Sequence, residues 1–246
     1  MRVRTIFDIE KHRKTLIWLL VSFFKEPYLA QILGFKGGTA LHFFFGLPRF
    51  SVDLDFNCIT ERVELGKVLK KILNMAKKGN LKVKDYALKK NTILAVFSYA
   101  DFHRNIKIEI STRQWPDRYF QKQLWGIPFT LMVPECMFAH KLVAFVERKK
   151  IVPLTRDAFD LWFMFKNKWE IDEEIVRLRT GKSLPKHLEE VLQIVKGLNS
   201  RNLIQGLGEL IPPEQKKFVE KHLKEELETE IEAWLIANSL GRKMSL

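Results

Sequence analysis

The chain has 246 residues, 46% of them hydrophobic, and its 42 Lys and Arg against 29 Asp and Glu give a formal net charge of +13. This composition excludes a disordered chain, and the length suffices for a sizeable hydrophobic core. We expect two smaller domains packed together rather than one large domain. The positive surplus favours partners rich in phosphate, because neutralised phosphates release counterions. A lysine-rich solvated surface is the less favoured alternative.

Helix and strand patterns alternate at the start of the chain. Residues 7–26 have helical spacing, which breaks near Pro27. The most apolar stretch, 15–24, is too short to span a bilayer and does not follow a signal-peptide pattern, so we expect no membrane segment. The presence of only two cysteines, far apart, predicts a cytosolic protein. The run 30–37 indicates a buried strand ending in glycine, and the next segment predicts a helix closed by Gly46.

A strand with two aspartates on one face is predicted next. Residues 51–59 alternate in polarity, so Asp53 and Asp55 project from the face opposite the apolar side chains between them. A helix over 61–77 follows, with Thr60 as its predicted N-cap.

Further strands and then helices make up the remainder. Three strand patterns cover 81–89, 92–100 and 105–112, and in the last of them Lys107 and Glu109 share the face opposite three isoleucines. From Pro134 onward the sequence predicts helices, with that proline in a first turn, a break at Pro153 and Thr155 as an N-cap. The other predicted helices cover 171–179, 186–198, 200–208 and 214–239.

The paired aspartates are the chemically informative feature. Two carboxylates on one strand face repel each other unless a cation lies between them, and Asp53, Asp55 and Glu109 would form an oxygen-only site suited to Mg²⁺. The segment "KGGT" would present backbone N–H groups at a helix N-terminus, where phosphate binds well. Either motif alone is weak, since the aspartates could face solvent and the glycines could form a plain turn. Only Cys58 and Cys136 occur, far apart, so no disulfide framework or thiolate metal site is supported.

Five segments in order resemble a known family. They are similar to motifs of the AbiEii/AbiGii toxin family, within the polymerase-β-type nucleotidyltransferase superfamily, and span about residues 34–166: "FKGGTALHFFFG", "RFSVDLDF", "IKIEIS", "HKLVAFVERKK" and "TRDAFDLWFM". The resemblance implies an α+β fold, in which a polymerase-β-like unit with a mixed sheet flanked by helices (1–130) is followed by a helical unit (131–246) that completes the active-site cleft.

The resemblance also implies roles for individual residues. The nucleoside triphosphate (NTP) would be held by Gly37, Gly38 and Thr39. Two Mg²⁺ or Mn²⁺ ions would be bound by Asp53 and Asp55, and Glu109 would complete one metal site and help to activate the acceptor. Because many relatives have aspartate at the third position, Glu109 is a departure from the pattern.

The helical motifs carry roles with open alternatives. Lys141 would reach the triphosphate, or is only a solvated lysine. Arg156 and Asp157 would brace that lysine or the nucleotide, with Asp160 in support. Alternatively, Asp157 lies in the first turn of a helix only because an acid there interacts favourably with the helix dipole, and Arg156 and Asp160 form an ion pair on the helix surface. Arg49 would either approach phosphate or anchor its loop.

The implied function is transfer of a nucleoside monophosphate (NMP) to an RNA hydroxyl, notably the tRNA 3′ end. The chain would act as the toxin of a type IV toxin–antitoxin pair whose antitoxin is separately encoded. Two alternatives stay open: a protein-modifying or kinase-like toxin, and a catalytically silent nucleic-acid-binding protein with the same fold.

Overall fold

The computed structural model describes three stretches of the chain, which are residues 7–99, 104–149 and 154–244. They divide into two compact units. The α/β unit comprises residues 1–46 and 50–132, and the helical unit comprises 47–49 and 133–246.

The α/β unit contains four helices and seven strands within the described residues. The helices are α1 (Ile9–Lys25), α2 (Pro27–Ile32), α3 (Gly37–Phe45) and α4 (Leu65–Lys78). The strands are β1 (Leu33–Lys36), β2 (Leu54–Cys58), β3 (Lys82–Lys89), β4 (Thr92–Ser98), β5 (Ile106–Ser111), β6 (Tyr119–Leu124) and β7 (Ile127–Met132).

The seven strands form one mixed sheet in the order β3-β4-β5-β2-β1-β7-β6. The pairs β2–β5 and β1–β7 are parallel and the other pairs are antiparallel. Apolar residues on alternate positions of the strands build the core of this unit, with Phe35, Phe56, Phe97 and Phe129 all fully buried. This mixed sheet with flanking helices confirms the predicted α+β class.

Helix boundaries in this unit follow local chemistry. The carboxylate of Asp8 caps α1 by accepting from the backbone N–H of Lys11 (2.9 Å). Gly46 ends α3 in the left-handed conformation (φ 77°), as its sequence predicted. The predicted N-cap Thr60 is wrong, because α4 begins four residues later than expected, at Leu65.

The sequence pattern did not predict the hairpin of β6 and β7. Its turn consists of Trp125 and Gly126, both with positive φ (52° and 70°). The type I′ turn of two-residue hairpins has positive φ at both central residues, a conformation that a tryptophan rarely adopts. The sequence therefore has no Asn, Asp or Gly at the first turn position, which would have indicated a hairpin.

The helical unit contains seven helices among the described residues: α5 (Pro134–Arg148), α6 (Thr155–Lys166), α7 (Glu173–Thr180), α8 (Leu184–Lys196), α9 (Ser200–Leu207), α10 (Pro213–Lys221) and α11 (Leu223–Met244). Pro134 occupies the first turn of α5, as predicted. Thr155 is the first helical residue of α6 rather than its N-cap, which is Leu154. The single helix predicted over 214–239 is two helices, separated at His222.

The predicted break at Pro153 lies outside the described residues. None of the described helices combines the length and the apolar character needed to cross a membrane.

Candidate functional site

Strand register brings two of the predicted site residues side by side. Asp55 on β2 is the direct partner of Glu109 on the parallel strand β5 and of Lys36 on the antiparallel strand β1. Residues opposite each other on paired strands point to the same face of a sheet. Asp55 and Glu109 are both half-buried, whereas Leu54, Phe56 and the isoleucines of β5 are buried on the other face. The predicted alternation is confirmed along β5. In β2 it holds from Leu54 to Phe56, whereas Asn57 is buried, and the strand predicted over 51–59 begins only at Leu54.

Asp53 lies just before β2 and is held by two neighbouring segments. The hydroxyl of Thr39, on α3, donates to the backbone carbonyl of Asp53. The backbone N–H of Lys107 donates to the Asp53 carboxylate (3.1 Å), so one of its oxygens is already engaged. Thr39 itself is fully buried. These contacts fix the aspartate relative to both α3 and β5.

Gly37 allows α3 to begin directly against Asp55. Its φ is +81°, and a Cβ at this position would lie 2.6 Å from Oδ2 of Asp55, so any side chain would collide with the carboxylate. The N-cap residue Lys36 makes no side-chain capping bond. Because the first N–H groups of a helix have no partner within it, the first turn of α3 offers donors next to Asp55.

The charges of this carboxylate cluster, Asp53, Asp55 and Glu109, are only partly balanced. Burial raises the pKa of Asp55 above its usual value, and Asp53 and Glu109 raise it further, against the opposing effect of Lys107. Nζ of Lys107 lies 3.1 Å from Oε2 of Glu109. Burial would lower the pKa of Lys107, but the three carboxylates outweigh burial and raise it. Lys107 and Lys36, which also lowers the pKa of Asp55, therefore balance part of the charge of the three carboxylates.

The carboxylate cluster suits a divalent cation in its chemistry. Its donors are all oxygens, which Mg²⁺ and Mn²⁺ prefer, and the raised pKa of Asp55 indicates negative charge in need of compensation. No group of three or more His, Cys, Asp or Glu side chains in the described ranges is arranged so that it could hold a metal ion. Metal binding by the carboxylate cluster therefore stays a prediction.

A second charged cluster lies within the helical unit and is well paired. Nζ of Lys141, on α5, lies 2.9 Å from Oδ1 of Asp157 and 2.6 Å from Oδ2 of Asp160, both on α6. The guanidinium of Arg49 binds the same Asp160 through two bonds, 2.6 and 2.7 Å long. Arg49 and Asp160 are almost fully buried. We call these four residues the ion-pair cluster.

The electrostatics of the ion-pair cluster favour its charged state. Burial would raise the pKa of Asp157, but Lys141, with help from Arg148 and Arg49, lowers it to about 2. Burial would likewise lower the pKa of Lys141, yet Asp157 and Asp160 raise it. Each charge is thus stabilised by an opposite one.

The structure brings some of the site residues predicted in the helical unit together and leaves Arg156 apart from the others. Asp157 contacts Lys141, as the bracing role requires. Arg156 is exposed on α6 and does not join the ion-pair cluster. The alternative surface pair of Arg156 with Asp160 is wrong, because Asp160 is buried and bound to Arg49 and Lys141. Between the two roles left open for Arg49, the structure favours the anchor.

Sequence reasoning missed Lys107 and undervalued Asp160. The signal for Lys107 was present, because it lies two residues before Glu109 on the same strand face. The signal for Asp160 was weaker: the residue lies on the apolar side of α6, where an unpaired acid would be costly. A buried acid predicts a buried cation, but the sequence does not say which one.

A comparison with family models decides the relationship. The model described as "Nucleotidyl transferase AbiEii toxin, Type IV TA system" matches residues 18–237. The chain belongs to the AbiEii family. The resemblance predicted from five motifs is confirmed, and with it the prediction of a nucleotidyltransferase and a toxin of a type IV system.

Solved structures share the fold of this AbiEii chain. JHP933 from Helicobacter pylori superposes with a TM-score of 0.54 at 20% identity, over 96% of this chain and 97% of that one. MenT4, a nucleotidyltransferase toxin from Mycobacterium tuberculosis H37Rv, gives a TM-score of 0.54 at 20% identity, over 93% and 87% of the two chains. A search of curated proteins finds no match. At this identity the structural likeness shows the fold, while the assignment to the AbiEii family rests on the family model.

Proposed function

We propose that this AbiEii toxin transfers an NMP from an NTP to a hydroxyl of RNA, the 3′ end of tRNA, and releases pyrophosphate. The observation that carries this proposal is the register of Asp55 with Glu109, beside Asp53 and the uncapped start of α3. Carboxylates that hold cations and helix N–H groups that hold phosphate are the two elements that nucleotidyl transfer needs.

The proposed reaction exchanges a phosphoanhydride bond of the NTP for a phosphoester bond to the acceptor. The acceptor oxygen bonds to the α-phosphorus of the NTP, the bond from that phosphorus to the pyrophosphate oxygen breaks, and the acceptor hydroxyl loses its proton. Asp53 and Asp55 would hold the divalent cations, and Glu109 would complete one metal site and help to activate the hydroxyl by accepting its proton. Bound Mg²⁺ or Mn²⁺ would supply Lewis acidity and neutralise the charge of the triphosphate.

The triphosphate is proposed to bind at the first turn of α3. Gly37 and Gly38 would donate backbone N–H groups, and the absence of side chains there lets phosphate oxygens approach closely. Because the hydroxyl of Thr39 is engaged with Asp53, Thr39 would contribute its N–H group and hold the aspartate.

Residues of the helical unit have proposed supporting roles. Lys141 is proposed to bind the triphosphate, with Asp157 bracing it and Arg156 supplying a second cation. Lys141 already has two carboxylate partners, so phosphate would have to compete with Asp157 and Asp160 for its ammonium group. Arg156 is exposed and faces no such competition within the described residues.

RNA is the proposed acceptor because the resemblance to the toxin family suggests it, and the overall charge agrees with that choice. A surplus of +13 attracts a polyanion and does little for a neutral protein acceptor. A separately encoded antitoxin is the proposed protein partner, as type IV membership implies. Modification of a protein hydroxyl by the same site is the alternative outcome of the test below.

The test offers the protein each of four α-labelled NTPs with Mg²⁺, together with total RNA or total cell protein. We expect label in RNA from at least one NTP, and none in any acceptor for Asp53→Ala or Asp55→Ala. Glu109→Gln should lower kcat much more than it raises the KM for NTP, because this carboxylate acts on the hydroxyl.

The matched control is Asp85→Ala, which removes an exposed carboxylate from β3. It should label RNA as the unaltered chain does. Labelling of protein alone would show that the acceptor is a protein and not RNA. Full labelling by both aspartate variants would show that the carboxylate cluster takes no part in the reaction.

A further inference from the structure

One face of α1 presents a basic and aromatic stripe to solvent. Lys11, Lys14, Thr15 and Trp18 follow the spacing i, i+3, i+4, i+7 and therefore share one side of the helix. Leu16, Leu19, Leu20 and Phe23 on the other side are buried in the core. Trp18 is 37% exposed, which is unusual for so large an apolar ring.

This stripe forms one wall of a surface pocket of about 410 Å³ within the α/β unit. The opposite wall is the end of α4 and the turn after it, from Lys78 to Leu81, and Tyr99 lines the pocket as well. The volume lies in the range of small-ligand pockets, about 300 to 1,000 Å³. The pocket shares none of its lining residues with the carboxylate cluster.

A glycine lets the tryptophan form part of the wall. A Cβ on Gly79 would lie 2.3 Å from Cη2 of Trp18, so only glycine allows the turn to pack this closely against the ring. The phenol of Tyr99 is held by Nδ1 of His12 (2.9 Å), and burial raises the pKa of Tyr99 to about 12. Both aromatic rings are thus positioned by the fold, and the tyrosine adds no charge.

The charge of the pocket comes from three lysines. Among the described residues, no carboxylate forms an ion pair with Lys11, Lys14 or Lys78. The neighbouring acids are engaged elsewhere, since Glu10 pairs with Arg13 (3.4 Å) and Asp8 caps α1. Three ammonium groups around one cavity favour an anion, and an exposed indole beside them favours a flat ring.

We infer that this pocket binds one unpaired nucleotide of an RNA chain, with its base against Trp18 and its phosphates on Lys11, Lys14 and Lys78. Basic grooves with an aromatic platform are the usual means of holding single-stranded nucleic acid without reading its sequence. The inference rests on the proposed function for its choice of RNA. It adds a place where the acceptor is held, apart from the residues that transfer the nucleotide.

The test measures binding of a fluorescein-labelled, ten-nucleotide single-stranded RNA by anisotropy, with EDTA and without NTP so that no transfer occurs. Trp18→Ala should weaken binding about tenfold, and Trp18→Phe should retain most of it. The double variant Lys11→Ala/Lys14→Ala should also weaken binding and reduce the salt slope by about 1.4, since each phosphate contact on a single strand contributes about 0.7.

The matched control is Lys89→Ala/Lys90→Ala, which removes two exposed charges at the β3–β4 turn outside the pocket. It should bind RNA like the unaltered chain, or nearly so. Thermal melting of every variant checks that the fold is kept, and the phenylalanine and lysine variants keep the test decisive if Trp18→Ala does not fold.

Four outcomes overturn the inference. In the first, the pocket variants bind RNA as tightly as the control, and in the second, the unaltered chain binds no RNA. Free 5′-AMP and polyglutamate serve as further probes: Trp18-dependent binding of 5′-AMP, or lysine-dependent binding of polyglutamate, without RNA binding is the third or fourth outcome. The last would indicate an acidic protein partner. Pocket-dependent RNA binding in a chain that never labels RNA supports the pocket and overturns only the proposed acceptor.

Discussion

In the α/β unit, Asp55 and Glu109 lie in register on neighbouring strands with Lys107 as the nearby cation. In the helical unit, Lys141 lies between two carboxylates, and Asp160 also binds Arg49 through two bonds. Both clusters bring aspartates and a lysine together. They differ in the balance of charge, because the first has carboxylates in excess and the second has equal numbers of acids and bases.

The direction of the pKa shifts shows what this balance does. The pKa of Asp55 is raised, first by burial and then by neighbouring carboxylates, so folding disfavours its ionised form. The pKa of Asp157 is lowered to about 2, because its cations outweigh burial. The carboxylate cluster therefore keeps an excess of negative charge, whereas each charge of the ion-pair cluster has a partner of opposite sign. Four variants test this difference.

Asp160→Ala should have the largest effect, as a loss of stability. It leaves the buried guanidinium of Arg49 without its bidentate partner and removes one carboxylate from Lys141, which costs about 3–5 kcal/mol for a buried pair. Urea unfolding measures this change. The control Glu232→Ala breaks the exposed pair with Lys196 and should change the unfolding free energy far less, because solvent screens this pair. Equal costs for both variants would mean that burial of the ion-pair cluster does not matter.

Asp55→Asn should instead lose activity and keep its stability. The amide cannot supply the negative charge that a divalent cation needs, so transfer should fall about 10²- to 10³-fold. Because the same change removes a carboxylate whose ionisation folding disfavours, the melting temperature in EDTA should stay the same or rise. Adding Mg²⁺ should stabilise the unaltered chain and not the variant. A melting temperature well below that of the unaltered chain would show that Asp55 is structural.

Acid should weaken the ion-pair cluster through Asp157. The folded-state pKa of about 2 is below the ordinary value of 3.8, so this group adds stability that is fully present above pH 3.8 and is lost as the pH falls towards 2. The contribution is about 2 kcal/mol, roughly half of which should be gone at about pH 3. The unfolding free energies of the unaltered chain and Asp157→Asn, compared at about pH 6 and about pH 3, should converge. A constant difference would contradict the assigned pKa.

The sequence was sufficient for the parts of the molecule that depend on local chemistry. Alternation placed Asp55 and Glu109 on the face opposite the buried apolar side chains of their strands, and Gly46 correctly ended α3. Motif order was sufficient for the family. In each of these cases the information lies in a few adjacent residues, whose spacing fixes which side chains share a face.

The parts that failed depend on partners far away in the chain or on a local conformation that the residue type disfavours. The bond between Arg49 and Asp160 joins residues 111 positions apart, and no periodicity reports it. The β6–β7 hairpin was missed because Trp125 adopts a conformation that its residue type disfavours. The register that makes Asp55 the neighbour of Glu109 likewise comes from the pairing of strands. The sequence could only predict that both carboxylates were needed.

Arg156→Ala should have the smallest effect, and it distinguishes a role in nucleotide binding from a role in stability. The side chain is exposed and lies outside the ion-pair cluster, so the free energy of unfolding should change by less than about 0.5 kcal/mol. If Arg156 binds phosphate as proposed, the KM for NTP should rise about tenfold with little change in kcat, because a contact made equally in ground and transition states affects binding alone. Arg156→Lys should recover part of this affinity. The matched control Arg201→Ala, an exposed arginine on α9, should leave KM unchanged. An unchanged KM in Arg156→Ala would show that Arg156 does not bind the nucleotide. A loss of stability would instead show that Arg156 has a structural role like that of the ion-pair cluster.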